Sequence, residues 1–261
     1  MTRTLLAIAA LGAIVCVISF SILHMIGGMD RMFSGHRWRH GNHSFVADDE
    51  AYPQTTRDLP WTGSEALHID NSAATITYIQ GPTPKFTVAG PKYRVDALNL
   101  TGDTLTGADI HWSFSDHHSD EIHITITSPN THRWFLSGAE TMVLTGYDQD
   151  SLEMHLSGAG HVRGVGKAKR LDADISGAGN LDFAALPVDD AQVRISGAGN
   201  ATLDPKQSAD LSISGAGHIG LLTKPANLHS SIAGFGSITT PDGVKIGKGG
   251  AKKDKNDQED D

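Results

Sequence analysis

The tetrapeptide Ser-Gly-Ala-Gly occurs four times, starting at Ser157, Ser176, Ser196 and Ser214, in steps of 19, 20 and 18 residues. Two weaker copies extend the series. "FLSGAE" puts Ser137 20 residues before Ser157, and "SIAGFGSI" puts Ala233 19 residues after Ser214, so six units cover residues 133–246. A recurrence at fixed period marks a repeat architecture and constrains the fold before any single element is considered. An aliphatic residue precedes every copy: Leu136, Leu156, Ile175, Ile195, Ile213 and Ile232. The residues around it alternate, as in Leu152, Met154, Leu156 and in Leu211, Ile213. Period two is the period of a strand, and a Gly-x-Gly in every unit weakens a helix.

A unit of this length is too short for a propeller blade of about 40–45 residues. It suits one coil of a parallel β-helix, whose coils stack about 4.8 Å apart. Leu156, Ile175, Ile195, Ile213 and Ile232 then form one inward column. The motif glycines are expected to take positive φ at a recurring corner. The alanines between them, Ala159, Ala178, Ala198 and Ala216, are expected to fit where the walls come close. The residues that follow, His161, Asn180, Asn200, His218 and Ser237, are expected to hydrogen-bond along the axis as a ladder. A phosphate cradle is the functional alternative for Gly-Ala-Gly. That fingerprint leads into a helix, whereas each copy here leads into a strand, and one cofactor does not need four cradles.

The strand pattern reaches back through "ALHIDNSAATITYIQG", "KFTVAG", "LNLTGDTLTG" and "DEIHITITSP" without an exact repeat. The expected β-helix domain is therefore 62–246, with regular repeats at 133–246 and an irregular first half that caps the stack or forms wider coils. Residues 247–261 are nearly free of apolar side chains and are expected to form a disordered charged tail.

Leu5–Ile26 carries no charge apart from His24 near its end. As a helix it would measure about 33 Å, enough to cross a hydrocarbon core of about 30 Å. Residues 1–27 are read as a transmembrane anchor, or an uncleaved signal, followed by a linker at 28–61. In the linker, "HRWRHGNH" (His36–His43) reads as a juxtamembrane basic-aromatic stretch. Arg31, Arg37 and Arg39 follow the apolar run while Arg3 precedes it, so positive charge alone would leave the body in the cytoplasm.

The formal net charge of −9 and the lack of a basic stripe exclude the usual nucleic-acid binder. Cys16 is the single cysteine, which rules out an intrachain disulfide and a cysteine zinc site.

The repeated "ISGAGN" and "ISGAGH" units behind "LHIDNSAATITYIQG" resemble the head GIN domain family of putative auto-transporter adhesins, over about residues 64–246. The resemblance implies a right-handed parallel β-helix exposed beyond the cytoplasmic membrane of bacteria. It brings no catalytic residues with it, and it outweighs the three arginines in placing the body outside the cytoplasm.

Candidate chemistry is sparse. Asp172 and Asp174 share one strand face, Asp182 follows, and Asp189 and Asp190 are expected at a turn. "SDHHSD" groups Asp116, His117, His118 and Asp120, which contact a metal only if the segment is a loop, because adjacent strand residues face opposite ways. Solvated charges and an exposed polar turn account for these groups, so no catalytic, cofactor-binding or metal residue is assigned and no cofactor is expected. The expected protein is a non-enzymatic, anchored β-helix of the cell envelope, adhesin-like or scaffolding. Its expected partners are the membrane through the N-terminal helix, polysaccharide or an envelope protein, and a second copy through the solenoid ends. A polysaccharide-active enzyme and a sensory ectodomain are the alternatives.

Overall fold

The computed structural model describes residues 53–70, 73–107 and 121–247. The apolar run Leu5–Ile26, "HRWRHGNH", the His117/His118 cluster and residues 248–261 lie outside them. Among the described residues no helix is long and apolar enough to cross a membrane.

The fold is an all-β solenoid of about five turns, with two walls that meet at the Ser-Gly-Ala-Gly corner. The first wall follows each motif and the second wall precedes it. Two long strands, β9 (Thr141–Leu156) and β10 (His161–Ile175), run through both walls. Later coils break at the opposite corner, giving β11 (Asn180–Ala185) and β12 (Val188–Ile195), β13 (Asn200–Leu203) and β14 (Pro205–Ile213), and β15 (His218–Leu221) and β16 (Asn227–Ile232). Along the first wall β9, β10, β11, β13, β15 and β17 (Ser237–Thr239) pair in parallel. Along the second, β9, β10, β12, β14 and β16 do the same. The register sets Leu156 beside Ile175, Ile175 beside Ile195, Ile195 beside Ile213 and Ile213 beside Ile232, the expected column. All of these are fully buried except Ile232, in the last coil.

The first half is interleaved rather than progressive. The coil formed by β2 (Ala66–Asp70) and β3 (Ala74–Gln80) pairs on one side with β6 (Thr104–Thr106) and β7 (Ile122–Ser128). On the other side it pairs with β8 (Arg133–Ser137) and β9. Antiparallel strands close this end: β4 (Lys85–Pro91) on β7, β1 (Gln54–Leu59) on β4, and β5 (Asn99–Thr101) on β6. A short helix, α1 (Lys92–Ala97), adds buried Val95. The first strand thus lies inside the stretch read as linker, because "QTTRDL" supplies the end cap rather than a coil. Asp189 and Asp190, expected at a turn, belong to β12, where the corner residues are Leu186 and Pro187.

The motif glycines are needed for a reason other than the expected one. Gly158, Gly177, Gly197 and Gly215 do not have positive φ; in the series only the terminal Gly234 does, at 141°. What they require is space. A Cβ on each would stand less than 3.0 Å from the carbonyl oxygen of the equivalent glycine one coil earlier. That carbonyl accepts a hydrogen bond from the N–H of the next residue, as in Ala178 N to Gly158 O (3.0 Å) and Ala198 N to Gly177 O (3.0 Å). The corner therefore continues the ladder of the walls, and the backbone dictates the glycine. The alanines between the glycines are exposed and do not fill a gap between the walls.

Candidate binding face

The residue just before each inward aliphatic points outward on the second wall, and parallel register lines these residues up along the axis. The row reads His68, Phe135, His155, Asp174, Arg194, Ser212, Ser231. Its first three members stack ring on ring: His68–Phe135 at 4.2 Å and Phe135–His155 at 4.7 Å between centroids, each with planes 4° apart. The stack consumes ring faces and presents ring edges to solvent, so it stiffens the wall more than it offers a platform for a sugar ring.

Below the rings the row becomes ionic. His155 Nδ1 lies 3.5 Å from Asp174 Oδ2, and its Nε2 2.8 Å from Glu153 Oε1. The Arg194 guanidinium reaches both Asp172 Oδ1 (3.3 Å) and Asp174 Oδ1 (3.2 Å). Its pKa is raised, first by the hydrogen bond to Asp174; burial, the next-largest effect, opposes the rise, and the charges of Asp174, Asp172 and Asp210 add to it. The two aspartates do share a face, as their spacing implies. Both spend acceptor capacity on one cation, which makes them rungs of a charge ladder rather than an acid and a base flanking a bond. A shallow groove of about 290 Å³ runs beside them, lined by Phe135, Ser137, His155, Asp174 and Ser176 among others.

The motif-following residues form part of the expected ladder on the first wall. Asn200 Nδ2 donates to Asn180 Oδ1 (2.9 Å), and His218 Nδ1 meets Ser237 Oγ (3.0 Å). At the opposite corner a cleft of about 300 Å³ holds alternating charges. Within it Lys167 pairs with Asp148 (3.3 Å) and Lys169 with Asp150 (2.8 Å), while Lys206 turns to Asp204 (2.8 Å) outside the lining. Among the described residues no three His, Asp or Glu side chains converge in a way that would hold a metal ion.

Spacing along the chain singles out Asp172 and Asp174 but not their partner Arg194, nor the His68–Phe135–His155 stack. Writing the units beneath one another exposes the row, since each member sits one place before the inward aliphatic. Because the Arg194 side chain is 48% exposed, Arg194→Ala is expected to change folding stability by less than about 1 kcal/mol. That change should shrink further in high salt, as chemical denaturation at two ionic strengths would register.

A two-walled solenoid with a mostly polar outward row, and no convergent metal-binding cluster among the described residues, defines a class by its fold, the β-solenoid domains. Within it, this chain belongs to the family described as "putative auto-transporter adhesin, head GIN domain", whose profile matches residues 92–225. A solved structure described as a putative adhesin from Bacteroides fragilis NCTC 9343 has the same fold. It is 22% identical, with a TM-score of 0.52, and the match covers 72% of this chain and 97% of that one. A protein described as a putative lipid binding protein from Parabacteroides distasonis ATCC 8503 is 15% identical with a TM-score of 0.43, covering 72% and 96%. No functionally curated protein matches the sequence.

Proposed function

We propose that this chain is a non-enzymatic, adhesin-like binding protein presented outside the cytoplasmic membrane. In this reading residues 1–27 tether it and the second wall of the solenoid takes up polysaccharide. The winding is taken as right-handed, the hand that strand twist favours for parallel crossovers. The observation that carries the proposal is the outward row from His68 to Ser231. Apart from Phe135, each member brings a donor or acceptor, and the strands are spaced about 4.8 Å apart along the wall, a surface suited to an extended polar polymer and unsuited to enclosing a reacting bond. Family membership supports the adhesin-like part. The uncharged run Leu5–Ile26 supports the tether.

The test uses the full chain in detergent micelles on immobilised envelope polysaccharides. Binding is expected to fall at least 10-fold in a variant combining Asp174→Ala with Arg194→Ala, and to persist in Arg163→Ala on the other wall. Equal binding by both variants, or shortening of the glycan on incubation, overturns the proposal. Protease digestion of intact and outer-membrane-stripped cells tests the location, since cleavage of the body only after full lysis contradicts it.

A further inference from the structure

The two ends of the solenoid are finished differently. At the N-terminal end β1, β4, β5 and α1 cover both walls. At the C-terminal end β18 (Lys245–Gly247) pairs antiparallel with β17 and covers the first wall alone. Strand β16 pairs with β14 on one side, and among the described residues nothing pairs with its other edge. The edge sequence, Asn-Leu-His-Ser-Ser-Ile, contains no lysine, acidic residue or proline, the devices that usually keep an exposed edge from finding a partner. Its inward residues Leu228 and Ile232 are only partly buried, whereas their equivalents Ala209 and Ile213 are 1% exposed. The corner that follows breaks the repeat in one telling way. Where the four motifs place an exposed alanine, the last coil has Phe235, 92% exposed.

We propose that the free edge of β16 is a homodimer interface, in which two copies pair this strand antiparallel about a two-fold axis. The axis reverses the strand direction, so the corner after β16 in one copy meets the turn before β16 in the other. Phe235 then approaches Leu222, itself 50% exposed, and the contact is made twice. Charge permits the pairing. The chain carries a formal −9, yet β16 brings no carboxylate, lysine or arginine to the contact, with His229 its single titratable side chain. The strand backbone, Phe235, Leu222 and the edges of Leu228 and Ile232 together bury on the order of 1,000 Å² over both copies, the lower bound of a specific interface. A dimer of micromolar rather than nanomolar strength is therefore expected. Because β18 adds one strand to the other wall, the two solenoids meet at an angle rather than coaxially.

The experiment is thiol crosslinking of the full chain in membranes, in a Cys16→Ser background, with a short bis-maleimide. His229→Cys and Ser231→Cys, on the outward face of β16, are expected to give dimers at least 10-fold more efficiently than Ser196→Cys in the middle of the stack. Adding Phe235→Ala is expected to reduce that yield about 10-fold while leaving the monomer folded, since Phe235 is not part of the core. Crosslinking no greater at β16 than at Ser196 overturns the proposal. So does crosslinking that appears only when the chain is terminated after Gly247, which would mean that its own C-terminal segment occupies the edge.

Discussion

Gly177→Ala is expected to destabilise the solenoid by about 3 kcal/mol or more, lowering the thermal midpoint by on the order of 10 °C for a domain of this size. The added Cβ meets the Gly158 carbonyl oxygen at less than 3.0 Å, and that oxygen already accepts the Ala178 N–H at 3.0 Å. Neither group can retreat without breaking a rung of the ladder, and backbone atoms have no rotamer to change. Gly102→Ala supplies the contrast. Gly102 sits in the β5–β6 turn at φ 63°, with no atom within 4 Å of the place a Cβ would take. Alanine there meets only the left-handed backbone penalty of about 1 kcal/mol. Denaturant unfolding of the two variants separates the two roles of glycine. If Gly177→Ala costs no more than Gly102→Ala, close approach is not what selects the motif.

That contrast also shows where the sequence was legible. Spacing and alternation sufficed for the stack, because a period near 20 with Leu156, Ile175, Ile195 and Ile213 in register admits few other solutions. The role of the glycines was not legible, since positive φ and close approach select the same residue. Only the position of the neighbouring carbonyl distinguishes them. The interleaving of β2–β3 between β6–β7 and β8–β9 was hidden for a related reason: strands without a shared motif carry no label of which coil they join. The binding face was half legible. Asp172 and Asp174 announce a common face by their spacing, but Arg194 joins them only through the register of β10 and β12, a relation between residues 20 and 22 positions apart.

The interleaved half also holds two tyrosines that tie stability to alkaline pH. Tyr78 and Tyr147 are almost completely buried, with Tyr78 edge-on to the Trp134 indole at 5.0 Å and 6.2 Å from the Tyr147 ring. Tyr78 donates to the Ser128 carbonyl (2.9 Å) and Tyr147 to that of Ser151 (2.5 Å). Burial raises both phenol pKa values well above normal. At Tyr78 a hydrogen bond from Gln149 opposes the shift in part, and at Tyr147 the neighbouring Tyr78 adds to it. The folded chain therefore holds these protons more tightly than the unfolded chain, whose tyrosines titrate near 10. Their contribution is complete below pH 10 and is lost as pH rises from there toward the folded values. Each tyrosine removes about 1.4 kcal/mol per pH unit in that window, so the pair removes about 2.7. Two pH units above 10 therefore remove about 5 kcal/mol, the lower end of the usual total of about 5–15 kcal/mol. Urea midpoints at pH 9, 10 and 11 in high salt, which suppresses the surface lysine pairs, measure the slope. The double variant Tyr78→Phe/Tyr147→Phe is expected to lose about 1 kcal/mol per hydroxyl at neutral pH and to flatten the alkaline slope. A slope unchanged by the double substitution would assign the alkaline loss to the surface charges instead.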